Sequence, residues 1–96
     1  MGAGNHRYRR VPSGEPVEAV RWNGANASSV VAFCAGAATS RVALDKDKPE
    51  DMSKSRIVVE LRGHIVAPGN WIVRDGDGIY GLFEHGSFAR GHSIAP

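Results

Sequence analysis

The one cysteine of this chain, Cys34, is the first candidate for nucleophilic chemistry. A cysteine nucleophile needs a neighbouring base and a further group that orients the base. Cys34 instead falls at helical spacing with Val30 and Phe33, and this apolar stripe is typical of a helix face that packs on a core. A thiol in that position is a small, inert core residue. We therefore expect Cys34 to be buried. Because no constellation of nucleophile, base and stabilising group can be assembled from the sequence, we also expect the chain not to be an enzyme.

Three histidines and two aspartates are the next candidates, because imidazole and carboxylate groups bind metal ions. His64, His85 and His92 would have to converge with Asp75 or Asp77 to form such a site. Their spacing matches none of the zinc patterns, such as HExxH or CxxC. We therefore interpret them as separate surface side chains and expect neither a metal nor a cofactor.

The segment Asp75-Gly76-Asp77-Gly78 has the start of a calcium-binding loop. Such a loop needs a glutamate at its twelfth position, which is Gly86 when the count begins at Asp75. The calcium interpretation therefore fails. Alternating aspartate and glycine between two apolar segments predicts a hairpin turn, with Gly76 and Gly78 as its flexible residues.

Positive charge is concentrated near the N-terminus, where Arg7, Arg9 and Arg10 surround Tyr8. The chain has 12 basic and 10 acidic residues, so without these three arginines nine basic and ten acidic residues remain, a net charge of −1. We expect residues 1–13 to form a flexible basic arm. Guanidinium groups and a tyrosine ring suit nucleic acids or nucleotides, although a solvated arm without a ligand is the alternative.

Tyr80 is the best candidate for an exposed aromatic side chain. In the strand predicted over Ile79–Phe83, side chains alternate between the two faces of the sheet. Tyr80 then lies opposite the face of Ile79, Gly81 and Phe83 and shares its own face only with Leu82. A binding platform and a core position both remain open for its ring.

Composition predicts an ordinary globular domain, with 42% hydrophobic and 23% charged residues in 96. The longest uncharged apolar run, residues 27–38, is far shorter than the about 20 residues needed to cross a bilayer. The polar N-terminus predicts no signal peptide. A small domain with one cysteine has no internal disulfide, which favours the reducing cytoplasm.

Hydrophobic periodicity and turn residues predict one short helix and five to six short strands. The helix covers about residues 26–36, with Asn26 as its N-cap and Gly36 as its left-handed stop. Pro68-Gly69 predicts a type II turn. We expect an α+β fold, a small curved antiparallel sheet or partly open barrel, in one domain over residues 14–96. The predicted strands are 16–22, 40–44, 56–61, 64–67, 71–74, 79–83 and a short segment within 88–94, of which 64–67 continues the strand before it.

The segments "PVEAVRWNG", "AFCAG" and "PGNWIVRDGDGIYGLF" resemble a group of small proteins encoded by phages and prophages of high-GC Gram-positive bacteria. In that group a strand like "VEAVRW" precedes a short helix ending in Phe-Cys, and a "PGDW" or "PGDY" turn begins a C-terminal hairpin. The similarity covers residues 8–88. Asn70 stands where Asp is usual, and the ending "EHGSFARGHSIAP" departs from the usual "KPDIFEATYEP"-like ending. The resemblance implies a phage source and supplies no catalytic or binding residues.

Three functions are compatible with a small fold of phage-like origin that lacks a catalytic constellation. The first is a non-catalytic binding module in the infected cell, which engages a host protein, captures a small ligand or associates with itself. The second is an accessory protein that binds nucleic acid or nucleotides weakly through the arginines at positions 7, 9 and 10. The third is a structural or assembly component of the virion. None of the three involves a membrane.

Overall fold

The computed structural model describes residues 6–94, which form two antiparallel sheets and two α-helices. The strand order is β7-β6-β2-β1-β8 in the first sheet and β3-β4-β5 in the second. The α+β class and the antiparallel pairing are confirmed, and neither sheet closes into a barrel. The described elements number eight strands and two α-helices, more than predicted. They are β1 (His6–Arg10), β2 (Pro16–Arg21), α1 (Ala27–Phe33), β3 (Ala38–Ala43), a 3-10 turn (Met52–Lys54), β4 (Arg56–Leu61), β5 (His64–Val66), β6 (Trp71–Arg74), β7 (Tyr80–Phe83), α2 (His85–Gly91) and β8 (His92–Ile94).

The larger hydrophobic cluster fills the space between the two sheets and α1. Alternation along β2 directs Val20 and Trp22 to this side, and Ile72 joins them from β6, because it lies opposite Val20. The predicted stripe of α1 closes the cluster from the helix side. Its buried members are Val20, Trp22, Val30, Phe33, Cys34, Ala38, Val59, Leu61, Val66 and Ile72.

A second cluster, rich in aromatic rings, covers the other face of the five-stranded sheet. Phe88 of α2 stacks on Trp71, with ring centroids 3.9 Å apart and planes 4° from parallel. Tyr8 meets both rings edge-on, at centroid distances of 5.0 Å from Phe88 and 5.7 Å from Trp71. Both faces of this sheet are therefore buried over its central strands. The buried members are Tyr8, Val17, Ala19, Trp71, Val73 and Phe88.

The prediction of a flexible basic arm over residues 1–13 is wrong for residues 6–10. They form β1, which lies inside the sheet and pairs with both β2 and β8. The physical reason is the alternation of the strand, because Tyr8 points into the aromatic cluster while its charged neighbours point to the opposite face. The sheet thus extends beyond the predicted domain of residues 14–96. Residues 1–5 of the predicted arm, like residues 95–96, lie outside the described residues.

The C-terminal segment also differs from its prediction, since His85–Gly91 is a second helix, whereas the sequence predicts only a short strand within residues 88–94. Gly86 and Gly91 disfavour a helix, but the Phe88 N–H donates to the Glu84 carbonyl at 2.8 Å and the Phe88 ring is buried. Burial of one aromatic face stabilises a helix this short. Neither helix in residues 6–94 has the length and apolar content required to cross a bilayer.

Helix α1 ends earlier than predicted, at Phe33, because Ala35 and Gly36 both have positive φ angles of 49° and 94°. The predicted cap also acts differently. The Asn26 amide nitrogen donates to the Arg21 carbonyl at 2.8 Å, and its amide oxygen accepts from the Asn23 N–H. Asn26 therefore fixes the loop between β2 and α1 instead of capping the helix.

The two turns are where the sequence predicts them. The Asn70 N–H donates to the Ala67 carbonyl at 3.0 Å around Pro68-Gly69, and Gly69 has a φ of 97°, as a type II turn requires. In the β6–β7 turn Gly78 has a φ of 79°. Gly76 does not adopt a left-handed conformation. These turns fix how β6 pairs with β2 and with β7, and this pairing positions Arg74.

Candidate functional site

An open groove with a volume of about 470 Å³ lies where β1, β2 and β6 continue past the core. It is on the sheet face that carries the larger cluster, but over strand positions that hold charged instead of apolar side chains. Charged residues from three neighbouring strands and the β6–β7 turn therefore meet in it. Its lining is Arg7, Tyr8, Arg9, Pro16, Val17, Glu18, Arg74, Asp75 and Gly76.

A row of alternating charges crosses the groove at right angles to the strands. Arg7 of β1 lies opposite Glu18 of β2, and Glu18 lies opposite Arg74 of β6. Residues opposite each other in an antiparallel sheet point to the same face. The register therefore brings these three residues together, although Arg7 and Arg74 are 67 positions apart in the sequence.

Arg74 is the fixed member of this row. Its Nη2 donates to the Glu18 carboxylate at 2.5 Å, and its Nη1 donates to the Phe33 carbonyl at 2.6 Å. The guanidinium carbon also lies 4.4 Å from the centre of the Phe33 ring. The hydrogen bond to Glu18 raises the pKa of Arg74 further, against the opposing effect of burial. Arg74 thus presents a permanent positive charge with a rigid position.

The side chains of Arg7 in this row, and of Arg9 two positions further along β1, are not held in the same way. Both side chains are exposed, and neither makes a hydrogen bond or ion pair with another residue of the described segment 6–94. Being two positions apart on one strand, they point to the same face about 7 Å from each other. With Arg74 they contribute three positive charges against the two carboxylates of Glu18 and Asp75. The side chains that line the groove therefore carry one excess positive charge, and two of their guanidinium groups have no partner among the described residues.

The predicted cluster of arginines around a tyrosine is divided between the two faces of the sheet. Tyr8 is buried in the aromatic cluster, and burial raises the pKa of its hydroxyl. Arg10 also points away from the groove side of β1, and its Nη1 lies 3.0 Å from the Glu15 carboxylate. Arg7 and Arg9 alone therefore remain as binding candidates from the N-terminal segment, without a stacking ring between them.

Tyr80 shares the face of the groove but belongs to the core. It lies opposite Arg74, three strands from Arg7, which is about 14 Å at the usual strand spacing. Its hydroxyl donates to the Cys34 carbonyl at 2.9 Å, and its ring meets Phe33 edge-on. Tyr80 is half-buried and ties β7 to the end of α1, so the structure does not bring it together with Arg7 and Arg9.

The cysteine is in the core, as predicted. Cys34 is 1% exposed, and burial raises the pKa of its thiol to about 11, with a smaller opposing effect from Arg74. The His85 Nδ1 accepts from the Trp71 indole N–H, and the His92 Nδ1 lies 3.1 Å from the Phe88 carbonyl. No group of three histidine, cysteine, aspartate or glutamate residues within residues 6–94 could hold a metal ion.

Glu18 and Arg74 are the site residues that the sequence did not single out. Each is a charged residue on a strand face that is otherwise apolar, because Glu18 shares its face with Val20 and Trp22, and Arg74 shares its face with Ile72. That pattern is the signal that could have identified them. Comparisons with protein-family models, with curated proteins and with solved structures all gave no match.

Proposed function

We propose that this protein is a small, non-catalytic binding module that captures a phosphate-bearing small ligand in the groove of β1, β2 and β6. The observation that carries the proposal is the pair of exposed guanidinium groups of Arg7 and Arg9, which have no side-chain partner within residues 6–94, beside the fixed charge of Arg74. Guanidinium groups bind phosphate oxygens through paired, charge-assisted hydrogen bonds. A groove of about 470 Å³ has the size of ordinary small-molecule sites.

The hydrogen bonds made by the two carboxylates in the groove favour binding of a ligand without a reaction. Glu18 accepts from Arg74, and Asp75 accepts from the backbone N–H groups of Asp77 and Ile79. Within residues 6–94 the hydrogen bonds of these two carboxylates thus go to Arg74 and to backbone N–H groups, and none goes to a nucleophilic side chain that either could activate. Cys34 is buried in the larger cluster and is not accessible to a ligand in the groove.

The biological setting of the proposal comes from the resemblance of residues 8–88 to phage and prophage proteins. On that basis the module acts in the cytoplasm of an infected host cell, where it would sequester the ligand. A host protein as the partner, and a place in the virion, stay predictions.

The proposal is tested by calorimetric titration with inorganic pyrophosphate and with a set of nucleoside mono-, di- and triphosphates. We expect Arg9→Ala, and likewise Arg7→Ala, to weaken binding about 10- to 100-fold, the effect of losing a charge-assisted hydrogen bond. Arg10→Ala is the matched control, because it removes an equal charge from the same strand on the other face. Absence of binding to every phosphate-bearing compound, or an equal loss in Arg10→Ala, would refute the proposal.

Single-stranded nucleic acid is the second candidate, because Arg7 and Arg9 are exposed in succession along one strand and can follow a chain of phosphates. The same titration separates the two functions when it includes oligonucleotides of increasing length. Nucleic-acid binding predicts an affinity that grows with length and falls steeply with salt. A small-ligand site predicts that a mononucleotide binds as tightly as an oligonucleotide.

A further inference from the structure

Strand β3 is the longest open edge among the strands of residues 6–94. The four edge strands are β7 and β8 in one sheet and β3 and β5 in the other. β5 and β8 have three residues each and β7 has four, whereas β3 has six and contains neither glycine nor proline. Beyond the pairing with β4, residues 39–43 make no backbone hydrogen bond to another described segment. Such an edge is a template for one more strand.

The far end of β3 carries apolar side chains that no part of residues 6–94 covers. Val42 and Ile57 lie opposite each other and are 55% and 43% exposed, although Val59, further along the same face, is fully buried. The β3–β4 hairpin therefore continues its core-facing side past the core, which fits the elongated dimensions of 49 × 26 × 25 Å. Met52 and Pro68 extend this surface into a shallow groove of about 550 Å³.

We propose that β3 pairs antiparallel with β3 of a second copy of this chain, about a two-fold axis at Val42. The two three-stranded sheets then form one six-stranded sheet. Val42 meets its own copy, so an apolar row runs across the junction from Ile57 through both valines to the second Ile57. In the same register Arg41 falls opposite Ala43, and Ser40 falls opposite Leu44, which is itself exposed.

The side-chain pattern of β3 selects this register over its neighbours. An axis at Arg41 places two arginines directly opposite each other, and like charges in that position destabilise a sheet. An axis at Ser40 moves the junction towards Ala38, the end that is already buried. An axis between two residues joins the apolar face of one hairpin to the polar face of the other. An axis at Ala43 would pair Val42 with Leu44 and Arg41 with Asp45, two residues that lie beyond the end of β3, so that Ala43 alone would be paired inside the strand. The axis at Val42 combines a continuous apolar surface and no charge conflict with three paired residues inside β3, from Arg41 to Ala43.

Pairing of five residues in each strand gives a small interface. Interfaces of this size form weak, reversible complexes, so the dimer is expected to depend on protein concentration. A self-complementary patch around a two-fold axis closes after two copies. We therefore expect a monomer–dimer equilibrium rather than a filament.

Disulfide trapping tests the register directly. Val42→Cys places two thiols at opposite positions, where Cα atoms are about 4.5–5.5 Å apart, within the range of disulfides. Ser40→Cys is the matched control, because its copies lie four residues apart along the strands, about 13 Å. Under mild oxidation the Val42→Cys variant forms a covalent dimer, and the Ser40→Cys variant does not. The native Cys34 is buried and does not compete.

Sedimentation equilibrium from micromolar to millimolar concentration tests the association of the unmodified chain. Val42→Lys sets two positive charges at the axis and raises the dimer dissociation constant at least about tenfold. Ile65→Lys, on the edge strand β5 and similarly exposed, leaves it unchanged. Circular dichroism confirms that both variants fold. A chain that stays monomeric at every concentration, equal trapping of the two cysteine variants, or an unchanged constant in Val42→Lys overturns the proposal and leaves β3 to a different partner.

Discussion

The two hydrophobic clusters on either side of the five-stranded sheet are built from different parts of the sequence. The larger cluster uses residues between positions 20 and 72, which come from β2, α1, β3, β4, β5 and β6. The aromatic cluster depends on the two ends of the chain, with Tyr8 from β1 and Phe88 from α2 joining Trp71 at the centre. The first cluster therefore defines the fold, and the second attaches the terminal segments to it.

This difference bears on the candidate site, because β1 contributes to both sides of the sheet. Tyr8 holds β1 in the aromatic cluster, and the residues on either side of it, Arg7 and Arg9, form one wall of the groove. If the aromatic cluster were lost, β1 would no longer be held in the sheet, and Arg7 and Arg9 would leave the groove. If the larger cluster were lost, Arg74 would lose its fixed position, because its side chain is hydrogen-bonded to the end of α1.

The largest effect is expected for Trp22→Ala in the larger cluster. The Trp22 side chain is fully buried, so its loss leaves a cavity between the two sheets and lowers the free energy of unfolding by about 3–5 kcal/mol. Urea unfolding measures the change. Ile79→Ala, an exposed apolar residue, is the control and should change stability by less than about 0.5 kcal/mol. Similar losses in both variants would show that Trp22 does not support the core.

A somewhat smaller and more local effect is expected for Phe88→Ala. Removal of this ring opens the stack with Trp71 and Tyr8 and lowers the free energy of unfolding by about 3 kcal/mol. Amide hydrogen exchange should accelerate in β1 and β8 more than in β4, because the two clusters stabilise different strands. Ser87→Ala, exposed on the same helix, is the control. Uniform acceleration across all strands would contradict the division into two clusters.

The sequence predicts the elements of the larger cluster better than those of the aromatic cluster. The apolar stripe of α1, the β-branched residues of β4 and the Pro-Gly turn before β6 are local patterns. The sequence therefore predicts β4 and β6 at their observed bounds, and α1 with an end three residues too late. β1 was mistaken for an arm because three arginines outweighed the single buried Tyr8. The sequence does not predict α2, because Gly86 and Gly91 flank Phe88 and the rings that bury Phe88, those of Tyr8 and Trp71, are distant in the sequence. The groove depends on the register between β1, β2 and β6, which no local pattern contains.

The smallest effect concerns the thiol in the larger cluster. Burial raises the pKa of Cys34 from 9.0 to about 11, which means that the folded state favours the neutral thiol. Its stabilising contribution is present below pH 9.0 and is lost as the pH rises through about 11, with a loss of about 2 kcal/mol between these two values. Unfolding of the native chain and of Cys34→Ala, compared at the two ends of this range, measures it. The stability difference between the two chains should shrink with rising pH, and a constant difference would contradict the burial.

Amide hydrogen exchange of residues 7–10 tests most directly whether β1 is a strand of the sheet, on which the groove and the aromatic cluster both depend. The structure predicts slow exchange, comparable with that of β2, because β1 is hydrogen-bonded between β2 and β8 and the Arg10 N–H donates to the Glu15 carbonyl at 2.9 Å. Exchange of these amides at the rate of an unstructured chain, while β2 stays protected, would contradict the account and return the arginines to a flexible arm.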